Sequence, residues 1–123
     1  MSDPVKTALN AYAQVWANDD RDGFLGLFAD DATIEDPVGS PLVVGKAGIA
    51  EFWDNVHSMG MEYSTEVVRA VSCGNEGVLV FNVTTRGGGM AMTVKIVDVF
   101  ALGDDGKIVS MRAFWDADCM GMA

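Results

Sequence analysis

The chain has 123 residues, 18 acidic against 8 basic, for a net charge of −10. That excess repels phosphate backbones, which excludes nucleic acid and anionic membrane surfaces as partners. Half of the residues are hydrophobic and 21% are charged, a globular mixture sized for one domain over residues 1–123.

Val5, Ala8, Leu9, Tyr12, Val15 and Trp16 recur at three- and four-residue spacing, predicting a helix over about residues 3–18. Pro4 suits its first turn, and Asn18-Asp19-Asp20 ends it. Phe24, Leu27 and Phe28 predict a second, shorter helix after Asp22. Thr33-Ile34-Glu35-Asp36 reads as a short extended piece, because Pro37 disfavours helix at the residue before it. A third helix is expected from near Gly45, with Ile49, Phe52, Trp53 and Val56 on one side.

After Gly60 the period changes. Four runs rich in β-branched residues, at about 62–73, 77–86, 90–102 and 107–118, are separated by glycine-containing hairpin connections. Three helices followed by an antiparallel meander predict an α+β domain with the helices packed on one face of a curved sheet. The space between helices and sheet is an apolar cavity, the natural place for a ligand.

No stretch approaches ~18 uninterrupted apolar residues, so no membrane span is expected. Met1–Pro4 has neither a basic region nor an apolar run, so no signal peptide is read there. Cys73 and Cys119 are too few for a disulfide framework or a zinc motif and are expected to be reduced. These features together predict a cytoplasmic protein. The single histidine, His57, excludes a multi-histidine metal site and reads as a surface residue at the end of the third helix. Chemistry in this chain falls to carboxylates and tyrosines.

The run at 90–102 carries the clearest signal. Side chains alternate faces along a strand, so Asp98 shares a face with Met90, Met92, Val94, Ile96 and Phe100, while Lys95 lies on the other. An aspartate in that company is either solvated at a fraying edge or buried with its pKa raised by desolvation, and the mid-strand position favours burial. It either caps a backbone group or, as a neutral acid, donates a hydrogen bond to an oxyanion. Tyr12, on the apolar face of the first helix, is either a core residue or a phenol aimed into the cavity. In Glu35-Asp36-Pro37 the acidic pair either serves the turn before the proline or supplies a general base at the cavity mouth, and alternation does not choose between Glu35 and Asp36. In the last run Val109, Met111, Ala113, Trp115 and Ala117 share a face, with Met111 and Trp115 expected inside. Leu79, Phe81 and Val83 form a further interior row.

The segments Asp30–Pro37, Val44-Gly45, Ile49–Trp53, Ile96–Phe100, Asp105–Ile108 and Ala113-Phe114-Trp115 resemble the bacterial ketosteroid isomerases, within the NTF2-like, SnoaL-like superfamily. The resemblance spans nearly the whole chain and implies their cone-shaped fold. It implies Tyr12 and Asp98 as oxyanion donors and Asp36 as base, so it selects Asp36 over Glu35. In that family an ionised and a neutral carboxyl share one cavity. The implied reaction moves the double bond of a Δ5-3-ketosteroid to Δ4, carrying a proton from C4 to C6 with no metal or cofactor.

Trp115, Met111, Phe81, Phe52, Trp53, Val83 and Phe100 are the residues expected to line the substrate site. The resemblance also implies a homodimer through the outer sheet face, with Thr85, Lys95 and Arg112 placed there. Two tyrosines that extend the hydrogen-bond network in some members correspond to Phe28 and Trp53, so that network is not expected. Other readings of the same fold are a polyketide cyclase, a dehydratase, an epoxide hydrolase or a small-molecule-binding module without catalysis.

Overall fold

The computed structural model describes residues 3–123. Helix α1 spans Pro4–Ala17, as the periodicity predicts, and buries Val5, Leu9, Tyr12, Ala13 and Trp16. The Asp3 carboxylate accepts from the N–H groups of Val5 and Lys6, which otherwise have no partner at a helix start. Its other oxygen accepts from Ser72 at 2.6 Å, tying the start of α1 to the sheet. Asp20 caps the short helix α2 (Arg21–Gly26) through the Gly23 N–H.

Strand β1 spans Phe28–Glu35, so the extended piece is longer than Thr33–Asp36 and Phe28 opens a strand instead of continuing a helix. Phe28, Ala32 and Ile34 are buried while Asp30 and Asp31 stay exposed, a half-buried strand whose alternation is broken by an irregularity between Phe28 and Thr33. The two-residue strand β2 (Val43–Val44) leads into α3 (Gly45–His57). The long hairpin strands follow: β3 (Glu62–Cys73), β4 (Glu76–Gly87), β5 (Met90–Leu102) and β6 (Ile108–Phe114). A 3-10 turn at Ala117–Cys119 precedes β7 (Met120–Met122).

The sheet order is β2-β1-β6-β5-β4-β3, with β7 pairing the far part of β5. The sheet is therefore mixed where an antiparallel one was expected, because β1 lies parallel to β6. The hairpins bring the last long strand back beside the first one, running in the same direction. The α+β architecture with three helices on a curved, unclosed sheet stands as predicted.

A bulge reverses the expected parity at the start of β6. Ala101 pairs with Ser110, but Leu102 pairs with Ile108, so Val109 is squeezed outward. Ile108 is buried and Val109 exposed, the reverse of the alternation. Ala117 is exposed because the strand has already ended at Phe114.

Helix α1 crosses β3 and β4. Gly77 permits the approach: a Cβ there would lie 2.6 Å from Val5 Cγ1 and 3.0 Å from Leu9 Cδ1. Gly77→Val should destabilise the fold by ~1–3 kcal/mol through overpacking. Gly26→Ala, where a Cβ meets nothing within 4 Å, should leave the thermal melt unchanged or raise it. Equal melts for wild type and Gly77→Val would contradict this packing.

Candidate active site

One cavity of about 270 Å³ lies between the helices and the sheet, and Tyr12, Asp36 and Asp98 all line it. Each reaches it from a different element. Tyr12 comes from the buried face of α1, Asp36 from the end of β1, and Asp98 from the middle of β5.

Asp98 is 2% exposed, opposite Leu79 on β4 and Ala113 on β6. Its Oδ1 is buried without a hydrogen-bond partner among the described residues. Buried polar atoms in folded proteins are nearly always paired, so an orphan of this kind needs a reason. Burial, and next the Asp36 carboxylate, push its pKa well above the usual carboxylate value. Both effects favour the neutral acid.

Asp36 is partly buried, and the Trp115 indole N–H donates to its Oδ1 at 2.7 Å. Burial lifts its pKa, and the Trp115 hydrogen bond works against that rise by favouring the charged form. Its neighbour Glu35 turns the other way. Glu35 accepts from the Gly39 N–H at 3.0 Å and from Arg112 Nε at 3.1 Å, and these two contacts hold its pKa below the ordinary value. The structure thus separates two carboxylates that alternation leaves equivalent. Glu35 is tied to Arg112, and Asp36 faces the cavity.

The Tyr12 ring is held by aromatic edges. Phe100 lies 4.9 Å away, and Phe24, Phe81, Trp16 and Phe28 lie at 6.0–6.5 Å between ring centroids. Edge-to-face pairs contribute about 0.5–1.5 kcal/mol each beyond burial, so the phenol's direction is set by packing. Phe28 adds a ring edge and no hydroxyl. Trp53 stacks against Trp16 at 4.6 Å and His57 at 4.1 Å. Burial, then the neighbouring Asp98 and Asp36 carboxyls, raise the phenol's pKa well above its usual value.

Of the expected lining residues, Trp115, Phe81, Phe52 and Val83 do line the cavity. Trp53, Phe100 and Met111 do not; they are core residues, at most 2% exposed. Phe100 and Met111 are paired across β5 and β6, one inward step beyond Asp98, and close that end. Thr85, expected on the outer face, lines the cavity as the continuation of the Leu79-Phe81-Val83 row. His57, expected at the surface, is half-buried: its ring stacks on Trp16 and Trp53, and Nδ1 contacts the Trp53 carbonyl at 2.8 Å. Trp16, Val56, Tyr63, Val94, Ile96 and Met120 complete the wall. Val94 and Ile96 were legible from the Asp98 row, whereas Met120 arrives only through the β5–β7 pairing.

A SnoaL-like domain model matches residues 9–111. A steroid Delta-isomerase from Nocardioides simplex is 39% identical over 115 residues, covering 94% of this chain and 92% of the relative. Among solved structures, the epoxide hydrolase/cyclase-like enzyme SalBIII, with a role in pyran ring formation in polyether salinomycin, has a TM-score of 0.86 at 27% identity. That match covers 96% of this chain and 95% of SalBIII. RV0760c from Mycobacterium tuberculosis, in complex with estradiol-17beta-hemisuccinate, has a TM-score of 0.85 at 24% identity, over 98% of this chain and 100% of that one.

The Asp98 environment has a consequence for stability. Unfolded, its carboxyl titrates near 3.8; folded, it titrates well above that. Between those two values the folded state holds a proton that the unfolded state has lost, so stability falls as pH rises through the window. Asp98→Asn removes this titration and keeps the shape. The variant's stability relative to wild type should therefore improve as pH rises from ~4 to ~8 in denaturant titrations. A difference that stays flat with pH would contradict a raised Asp98 pKa.

Proposed function

The chain belongs to the SnoaL-like domain family, and on that premise we propose that it is a steroid Δ-isomerase acting on Δ5-3-ketosteroids. The observation that carries the reading is the buried, unpartnered Asp98 carboxyl in one cavity with Tyr12 and Asp36. A neutral acid and a phenol side by side are two donors for a developing oxyanion in a water-poor site. Asp36 is the remaining carboxylate and has no competing cationic partner, because Arg112 is engaged by Glu35.

The substrate's 3-oxo group takes hydrogen bonds from Tyr12 and neutral Asp98. Ionised Asp36 removes a proton from C4. The C–H electron pair forms the C3–C4 double bond, and negative charge moves to the oxygen of a dienolate. Asp36, now the acid, returns the proton to C6 as the oxygen's electrons reform the ketone. The double bond ends conjugated at C4–C5, and no atom is gained or lost. The Trp115 N–H keeps the base oriented and favours its charged form.

The identity to the Nocardioides simplex steroid Delta-isomerase over nearly the full chain supports the same chemistry. The mostly apolar wall suits an uncharged polycyclic ligand. Among the described residues no histidine and no arginine lines the cavity. That disfavours a dehydratase built on histidine and an epoxide hydrolase built on an Asp-Arg-Asp set. The reading includes a homodimer through the outer sheet face, where Val78, Val80, Val97, Val99 and Phe114 form an apolar patch that is partly exposed on a single chain.

Isomerisation of 5-androstene-3,17-dione is followed by growth of enone absorbance. Asp36→Asn should nearly abolish it. Tyr12→Phe and Asp98→Ala should each slow it ~10²–10³-fold, the usual worth of an oxyanion donor. Wild-type-like turnover in Asp36→Asn would remove Asp36 as the base, and no turnover by wild type would remove the reading.

A further inference from the structure

Resting on the isomerase reading above, we propose that Thr85 is a specificity-determining residue. It recognises an oxygen substituent at the ring-D end of the steroid and so sets a preference for steroids that carry one over those that lack it. Thr85 continues the inward row Leu79, Phe81, Val83 on β4, whose partners on β5 are Asp98, Ile96, Val94 and Met92 in turn. Asp98 and Thr85 therefore sit six residues apart along the paired strands, about 20 Å before the bend of the sheet shortens it. A four-ring skeleton hydrogen-bonded at both ends has that order of length. Between the two, Phe81, Val83, Val94 and Ile96 offer only apolar surface.

The hydroxyl of Thr85 is free for a ligand. Outside the Tyr12, Asp36 and Asp98 set, two hydroxyls line the cavity. That of Tyr63 donates to the Val56 carbonyl at 2.9 Å. That of Thr85 makes no hydrogen bond with any described residue, whereas the next-door Thr84 hydroxyl is paired with Thr93 at 2.8 Å. A neutral hydroxyl both donates and accepts, so it serves a ketone or an alcohol alike. The contact lies far from C4 and C6 and is made equally in ground and transition states. It therefore acts on binding and not on the chemical step.

Estradiol and its 17-deoxy analogue test this, because both phenols can engage Tyr12 and Asp98 and only one carries the distal oxygen. Dissociation constants come from quenching of tryptophan fluorescence. Wild type should prefer estradiol about three- to tenfold, the worth of one half-buried hydrogen bond. Thr85→Val, of nearly the same shape, should bring the two ligands to parity, and Thr85→Ser should retain the preference. Equal affinities in wild type, or an unchanged preference in Thr85→Val, would overturn the role of Thr85 and leave the isomerase reading standing. Failure of wild type to bind either phenol would overturn both.

Discussion

Asp98 stands in the middle of a central strand, at the inner end of a mostly apolar cavity, with one carboxyl oxygen unpartnered. Burying an ionised carboxylate without a partner is among the costliest things a fold can do, and the usual relief is to hold the proton. Much else in the molecule follows from keeping that group in place. The β5 backbone is paired on both sides at Asp98, so the side chain cannot swing to water. Phe100, Leu79 and Met111 wall it in from the core. Tyr12, on a helix that Gly77 lets lie close to the sheet, brings the one other strong donor into the same space.

Asp36 shows the same chemistry under a different constraint. It sits where β1 ends, nearer the cavity's open side, and its indole partner supports a charge. Burial raises the pKa of both carboxyls, Asp98 the more strongly, so Asp98 holds its proton to a higher pH than Asp36 does. The charge on Asp36 reinforces the difference by disfavouring a second charge on Asp98. Glu35, one residue away, is kept out of the arrangement by Arg112 and the Gly39 N–H.

The parts legible in the sequence are those set by local periodicity. Strict alternation along β5 places Asp98 inside, and the helical spacing in α1 places Tyr12 on its buried face. What escaped the sequence depends on contacts far apart in the chain. Nothing local to Phe28–Glu35 announces a parallel partner eighty residues on, so sequence patterning alone leaves β1 short and the sheet antiparallel. The outward squeeze at Val109 comes from a register shift that period-two counting does not see. His57 sits at a helix end, a position that favours exposure, and is half-buried because Trp16 and Tyr63 from other elements pack on it beside Trp53. The choice between Glu35 and Asp36 needed Arg112 and Trp115, both contributed from the far end of the chain. The resemblance to ketosteroid isomerases had selected Asp36, and the cavity receives that residue.

The protonation state of Asp98 is the pivot of the proposed chemistry, and it can be observed directly. Carbon-13 NMR of protein labelled at the aspartate carboxyls, with Asp98→Asn to assign the signal, reports whether each group carries a proton. At about pH 7 the Asp98 carboxyl should still resonate as a neutral acid while the exposed aspartates resonate as carboxylates. An Asp98 signal that has already moved to the carboxylate position at that pH would contradict the proposed role of Asp98 as an oxyanion donor.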